Sequence, residues 1–198
     1  DSEGFLPKLL GKMYNDRVKF KKKMLEAKKE YNKTKDPNLI KEISRCHNIQ
    51  WAKKIALNSA YGAIGNQYFR YYDVRQAMAI TLAGQFVIRF IEKNVNEYMN
   101  KILKTHDKID YIVASDTDSI YLTMDKLVEQ VCKDKTKEQT LKFLNKVVES
   151  RIEPFLDKCF KQLAEYTNAF QNKMVMKREV IADKGIWTAK KRYMLNVL

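Results

Sequence analysis

Breaks are scarce in this chain. Six glycines and three prolines among 198 residues leave little to interrupt regular structure, so the elements must be long. Pro7 can occupy a first helical turn. Leu6, Leu9, Leu10, Met13, Tyr14 and Val18 follow at helical spacing, and the pattern runs through Met24 and Leu25 to about Asn32. Thr34–Asn38, with Asp36-Pro37 inside it, reads as a turn. A second helix is expected from Leu39 to about Ile64, with Leu39, Ile43, Cys46 and Ile49 on one side. Two long helices joined by a tight turn make an antiparallel hairpin.

The rest of the chain changes character. Tyr68–Tyr72 reads as a short aromatic strand, and Asp73 as the N-cap of a helix reaching about Lys104. Thr105–Asp110 is polar and turn-like. Tyr111–Ala114 and Ile120–Leu122 are β-rich runs around Ser115-Asp116-Thr117-Asp118-Ser119, a hairpin pattern. A helix from about Lys137 to Phe170 comes next, with Pro154 expected to kink or break it. Met174–Ala182 and Trp187–Val197 read as strands around Asp183-Lys184-Gly185. The class is α+β: an antiparallel helical hairpin, residues 1–66, attached to a small antiparallel sheet backed by helices, residues 67–198. Apolar residues make up 45% of the chain, enough for a core.

Charge narrows the partners. The chain carries 38 Lys+Arg against 24 Asp+Glu, a formal charge of +14. That excess favours a polyanion, nucleic acid first and an anionic membrane surface second. Between Lys8 and Lys35 there are eleven basic residues and three acids, Asp16, Glu26 and Glu30. Cys46, Cys132 and Cys159 are far apart and form no CxxC pair, which speaks against a disulfide framework or a zinc site and for reduced thiols in a cytosol-like compartment. No apolar run is long enough to span a bilayer, so no membrane is expected as partner. The first residue is not Met, and the expectation is an excised piece or a partial reading frame.

Two clusters carry chemistry. Asp116 and Asp118 sit two residues apart at the tip between apolar strands. Neighbouring like charges are unfavourable unless a cation neutralises them, and oxygen ligands suit Mg²⁺. Asp and Ser also form ordinary solvated turns, and the pair alone fits both readings equally. On the second helix Lys54, Asn58 and Tyr61 lie at i, i+4 and i+7, on one face. A cation, an amide and an aromatic there suit a phosphate, a sugar and a base; taken alone, a solvated stripe ending in a core tyrosine suits them better. Arg17 and Lys21 form a similar i, i+4 pair on the first helix.

Lys54-x-x-x-Asn58-Ser59-x-Tyr61-Gly62 resembles the fingers-helix motif of family B DNA polymerases. Asp116-Thr117-Asp118-Ser119 resembles their palm motif, and Lys190-Lys191-Arg192-Tyr193 the basic motif that follows it. The three occur in the family's order. Gly65-Asn66, Phe69-Arg70-Tyr71-Tyr72-Asp73, Ala79-Ile80-Thr81 and Trp187-Thr188-x-Lys190 are similar as well, in the manner of the replicative polymerases of large tailed, T-even-like bacteriophages.

The resemblance implies template-directed nucleotidyl transfer with two Mg²⁺ ions in the complete enzyme, on primer–template DNA and deoxynucleoside triphosphates. It implies that Arg17, Lys21 and Lys54 bind the triphosphate and that Asn58 lines that site. Tyr61 and Gly62 would pack on the nascent base pair. Asp118 would be a direct metal ligand, with Asp116 beside it as a less direct contributor. Lys190, Lys191, Arg192 and Tyr193 would hold the primer–template, and Glu179 matches a palm acid near the metals. The setting would be cytoplasmic, the host's if phage-encoded.

The sequence also departs from the family. Ala114 and Ser115 stand where a Tyr and a Gly are usual, and the turn at Thr34–Asn38 makes a short arm. The family's earlier palm motif, an Asp followed by Ser-Leu-Tyr-Pro, does not occur in these residues. The expectation is a fragment that needs the remainder of the polymerase, in cis or in trans, and is inactive alone. Two other classes fit parts of the sequence: a non-catalytic basic nucleic-acid-binding module, which gives the carboxylates no role, and a different palm-type cyclase or transferase, which leaves Lys54–Gly62 unexplained.

Overall fold

The computed structural model describes residues 3–105 and 109–198. It is α+β, mostly helical, with two separate two-stranded antiparallel sheets. Backbone contacts divide it into two compact units, Asp1–Ile80 and Thr81–Leu198.

The first unit is built on a helical hairpin, α1 (Phe5–Thr34) and α2 (Pro37–Ile64). The turn needs one left-handed residue, Lys35 at φ 57°, whose N–H closes onto the Tyr31 carbonyl 2.8 Å away. Asp36 then caps α2. Its side chain accepts the Asn38 N–H at 2.9 Å, and Pro37 fills the first turn, where a missing N–H costs nothing. Met24, Ala27 and Cys46 are buried along the hairpin. Tyr68–Tyr72 is not a strand. The Asn66 side chain accepts the Tyr68 N–H at 3.0 Å, and Phe69 and Tyr72 donate to carbonyls three residues back, so successive turns replace it. Asp73 caps the next helix as expected: Oδ1 accepts the Arg75 N–H at 2.9 Å.

That helix, α3 (Val74–Leu103), continues into the second unit. There Ile91, Val95, Met99 and Leu103 repeat every fourth residue and are buried. They form one core with Tyr111, Leu127, Leu144, Ile152, Leu156, Cys159 and Phe160. Burying such side chains stabilises a fold by about 1.5–3 kcal/mol each before entropy is counted. Strands β1 (Ile112–Asp116) and β2 (Ser119–Leu122) form a hairpin that lays Ile112, Ile120 and Leu122 against this core. A short helix that periodicity did not suggest follows, α4 (Asp125–Val131). His106, Asp107 and Lys108, in the expected turn at Thr105–Asp110, lie outside the described residues.

The long helix expected around Pro154 is unbroken. It consists of α5 (Lys137–Val147), one π turn (Val148–Ile152) and α6 (Glu153–Tyr166). Proline in a helix interior clashes with the carbonyl four residues back, and the wider π turn places Pro154 in the first turn of α6 instead. The helix stops at Tyr166, short of Phe170. A capping box opens it, with Thr136 and Gln139 each accepting the other's backbone N–H.

The last hairpin is shifted from its expected place. Residues 174–181 pair with no strand among the described residues, and the Arg178 N–H goes to Glu153 Oε1 at 3.2 Å. Asp183-Lys184-Gly185 lies inside strand β3 (Ala182–Ala189), which pairs with β4 (Arg192–Val197). The turn falls at Lys190-Lys191, where Lys191 takes the left-handed φ of 62°. No helix among the described residues is long and apolar enough to cross a membrane.

Candidate functional site

In the first unit the helical hairpin aligns the predicted basic residues. Lys53 on α2 reaches Asp16 on α1 at 3.0 Å, which fixes the level at which the helices meet. Arg17 and Lys54 are the next residues of that pair. Lys53 draws the Asp16 carboxyl below its ordinary range, first through the hydrogen bond and then through its charge. Arg17 is half-buried, and its Nε is buried without a hydrogen-bond partner among the described residues. A buried donor left unmet is costly and marks a place for an acceptor. Lys54 is half-buried with its ammonium 4.9 Å from the centre of the Trp51 ring, a cation–π contact that steadies a long side chain. Lys21, Asn58, Tyr61 and Gly62 are exposed, and a Cβ at Gly62 would meet nothing within 4 Å. Trp51 went unnoticed in the sequence, though it stands three residues before Lys54, on the same helix face.

In the second unit the carboxylate pair lies at the β1–β2 turn. Asp116 faces Ser119 in the ladder, and Thr117 between them and Asp118 holds φ 54°. A β-branched residue in that region is strained, and the surrounding bonds hold it there. The Asp118 N–H donates to the Asp116 carbonyl at 2.6 Å. The Ser119 hydroxyl donates to the same carbonyl at 3.1 Å, and the Thr117 hydroxyl to Asp116 Oδ1 at 2.9 Å. Asp116 is thus half-buried and hydrogen-bonded, whereas Asp118 is exposed. Their oxygens suit a hard cation. Among the described residues no third His, Cys, Asp or Glu joins them to make a metal cluster.

The start of β1 is pinned by two asparagines of α3 that periodicity did not single out. Asn96 accepts the N–H of buried Tyr111 at 2.8 Å and donates to Asp110 Oδ1 at 2.8 Å. Asn100 donates to the carbonyls of Ile109 and Asn96 at 2.8 and 2.9 Å and accepts from Ile109 N–H at 3.1 Å and Thr105 Oγ1 at 2.6 Å.

Lys190 and Lys191 form the β3–β4 turn, and Arg192 and Tyr193 begin β4. The base of this hairpin is tied by Asp183, which accepts from Lys137 and from Asn196, both at 2.6 Å. Those two bonds, that to Lys137 first, hold the Asp183 carboxyl below its ordinary range. Tyr121 on β2 lies against Trp187 and Tyr193, with ring centres 5.3 Å away in both cases. Its hydrogen bond with the Tyr193 hydroxyl, and next its burial, push the Tyr121 phenol up. Glu179 is exposed in the unpaired stretch before β3, and no observation joins it to the carboxylate turn.

A family model described as DNA polymerase family B matches residues 1–197. The chain is 41% identical over 194 residues to the DNA-directed DNA polymerase of Enterobacteria phage T4, covering 91% of this chain and 22% of that protein. It is 39% identical over 200 residues to the DNA-directed DNA polymerase of Escherichia phage RB69, with 93% and 21% covered. It is 32% identical over 144 residues to DNA polymerase 1 of Pyrococcus abyssi (strain GE5 / Orsay), with 73% and 16% covered. The chain spans about a fifth of the length of the phage relatives it matches.

Proposed function

The chain belongs to DNA polymerase family B, and from that premise we propose that it is the fingers-and-palm portion of a DNA-directed DNA polymerase. Residues 1–66 are the fingers arm and residues 67–198 part of the palm. The observation that carries this reading is the Asp116–Asp118 turn. Two carboxylates converge across a strained Thr117, on a hairpin backed by a packed core. A nucleic-acid-binding module has no use for such a turn.

On this reading the arm handles the incoming nucleotide. Arg17 and Lys54 enter at the level set by Asp16–Lys53, and Lys21 extends the basic face by one helical turn. Positioned cations favour a triphosphate most where its charge grows in the transition state, so they act on rate as well as on binding. Asn58 lines the same site, and Tyr61 and Gly62 present an aromatic and an open patch to the new base pair. Lys190, Lys191, Arg192 and Tyr193 grip the primer–template backbone. Asp118 and Asp116 would hold Mg²⁺, which when bound supplies Lewis-acid activation of the primer 3′-hydroxyl and neutralises the departing pyrophosphate. Glu179 remains a weaker assignment to the same site.

Two carboxylates are fewer protein oxygens than such a site uses. The reading therefore includes a further carboxylate from a strand outside these residues, and a chain that does not extend a primer by itself. The test is primer extension on a labelled template by the complete polymerase, with Asp118→Ala beside it. The expected result is lost synthesis with duplex binding retained. Retained synthesis would reject the assignment and leave the basic binding module as the better account. Extension by the 198-residue chain alone, abolished by Asp118→Ala, would show that its own residues complete the site.

A further inference from the structure

The two hairpins of the second unit share no backbone ladder, since β1 pairs with β2 and β3 with β4. Three aromatic rings join them. Tyr121, two residues beyond Ser119, meets Trp187 and Tyr193 edge to face, each at 5.3 Å between ring centres. Trp187 and Tyr193 face each other across the β3–β4 ladder, 6.3 Å apart. These separations fall in the range where aromatic pairs attract beyond simple burial. The Tyr121–Tyr193 hydroxyl contact adds direction to the cluster.

Gly185 supplies the second observation. A Cβ built there would stand 2.7 Å from two carbons of the Trp187 indole and 2.9 Å from Leu195 Cδ2. Its φ is not positive, so the backbone does not require glycine. The missing side chain is needed for space, and the indole occupies it. Gly185 is thus a seat that fixes the ring against Tyr121.

We infer that Gly185, Trp187 and Tyr121 are positioning residues that lock the hairpin tip bearing Lys190–Tyr193 to the turn bearing Asp116 and Asp118. The inference rests on the polymerase reading of those two tips. A primer gripped by one tip must present its end to the carboxylates of the other. A misplacement of about 1 Å in such a geometry can cost roughly a hundredfold in rate. Trp187 and Tyr121 need not touch the substrate. They act by keeping Tyr193 and the carboxylate turn in fixed register.

Two measurements test this on Trp187→Ala, Trp187→Phe, Gly185→Ala and Tyr121→Phe. The first is hydrogen exchange in the 198-residue chain, which requires no activity. Trp187→Ala and Gly185→Ala should speed exchange of the amides of residues 118–122 by roughly fivefold or more, with those of residues 91–103 unchanged, because opening is local. The second is steady-state kinetics in the complete polymerase. There kcat should fall roughly ten- to hundredfold while nucleotide KM and duplex affinity stay within about twofold. Trp187→Phe should recover most of both effects by restoring a ring. Should Trp187→Ala fail to fold, Gly185→Ala and Tyr121→Phe, which keep all three rings, decide. Unchanged exchange at residues 118–122 would overturn the coupling, whatever the polymerase does. So would weakened duplex binding with an unaltered kcat. Synthesis that survives Asp118→Ala would sink the polymerase reading instead, and the exchange data would still decide whether the hairpins are coupled.

Discussion

Asn100→Ala tests how the carboxylate hairpin is held. The side chain makes four hydrogen bonds, donating to Ile109 and Asn96 carbonyls and accepting from Ile109 N–H and Thr105 Oγ1, at 2.6 to 3.1 Å. It thereby fixes both flanks of the connection from α3 to β1. A typical bond of this kind contributes about 0.5–1.5 kcal/mol net, and a buried group left unmet costs about 1–3 kcal/mol. All these groups are half-buried, so water can reach some of them after truncation. The expected loss is therefore near the low end of the sum, about 2 kcal/mol. For a unit of this size that corresponds to a fall in Tm of about 8 °C. The assay is thermal unfolding followed by Trp187 fluorescence in a Trp51→Phe background, so that only the second unit is read. Two units need not unfold together, and a global probe would blur the effect. A shift smaller than about 2 °C would mean that solvent replaces the asparagine at no cost. The polar pins of α3 would then be incidental.

Lys54→Ala in the complete polymerase should raise nucleotide KM and lower kcat together, and ordinary steady-state kinetics for that variant would remove Lys54 from the site. Neutralising Lys190, Lys191 and Arg192 together should weaken duplex binding alike on all sequences and reduce the salt slope by roughly 0.9 per lost phosphate contact; altered sequence preference with the slope intact would contradict this. The Asp16 carboxyl titrates below its ordinary value of 3.8 because Lys53 favours its charged form. Its contribution should therefore be present above that value and fade as pH falls through the lowered one. Helical circular dichroism of wild type and Asp16→Asn against pH should show the two converging below the ordinary aspartate range. A constant difference down to strongly acid pH would refute it.

Elements governed by local rules were legible in the sequence. Apolar spacing marked α1, α2 and α3, and Asp73 marked the start of α3. The carboxylate turn fell where two β-rich runs placed it, because strand periodicity and turn chemistry agree there. Legibility failed where a partner decides. Met174–Ala182 has the composition of a strand, but no ladder receives most of it. Asp183-Lys184-Gly185 has the composition of a turn, yet its glycine makes room for an indole and its aspartate ties the hairpin to Lys137. The actual turn uses two lysines, which composition would never nominate. At the candidate site the motifs named the residues, but not the supports around them. Trp51, Asn96, Asn100, Tyr121 and Trp187 acquire their roles only through neighbours distant in sequence.

The π turn at Val148–Ile152 makes the length of this helix a fixed count. Such a turn holds one residue more than an α turn, so deleting a single residue there could restore regular α geometry with little local damage. The consequence would appear farther along. Everything after the deletion would rotate by about 100° about the helix axis. Leu156, Cys159, Phe160 and Leu163, all now buried, would swing away from the core, and polar Asp157, Lys161 and Ala164 would take up part of their arc. Point substitutions within the turn should thus be tolerated far better than indels. In a library of variants, this stretch should record substitutions freely while keeping its spacing unchanged.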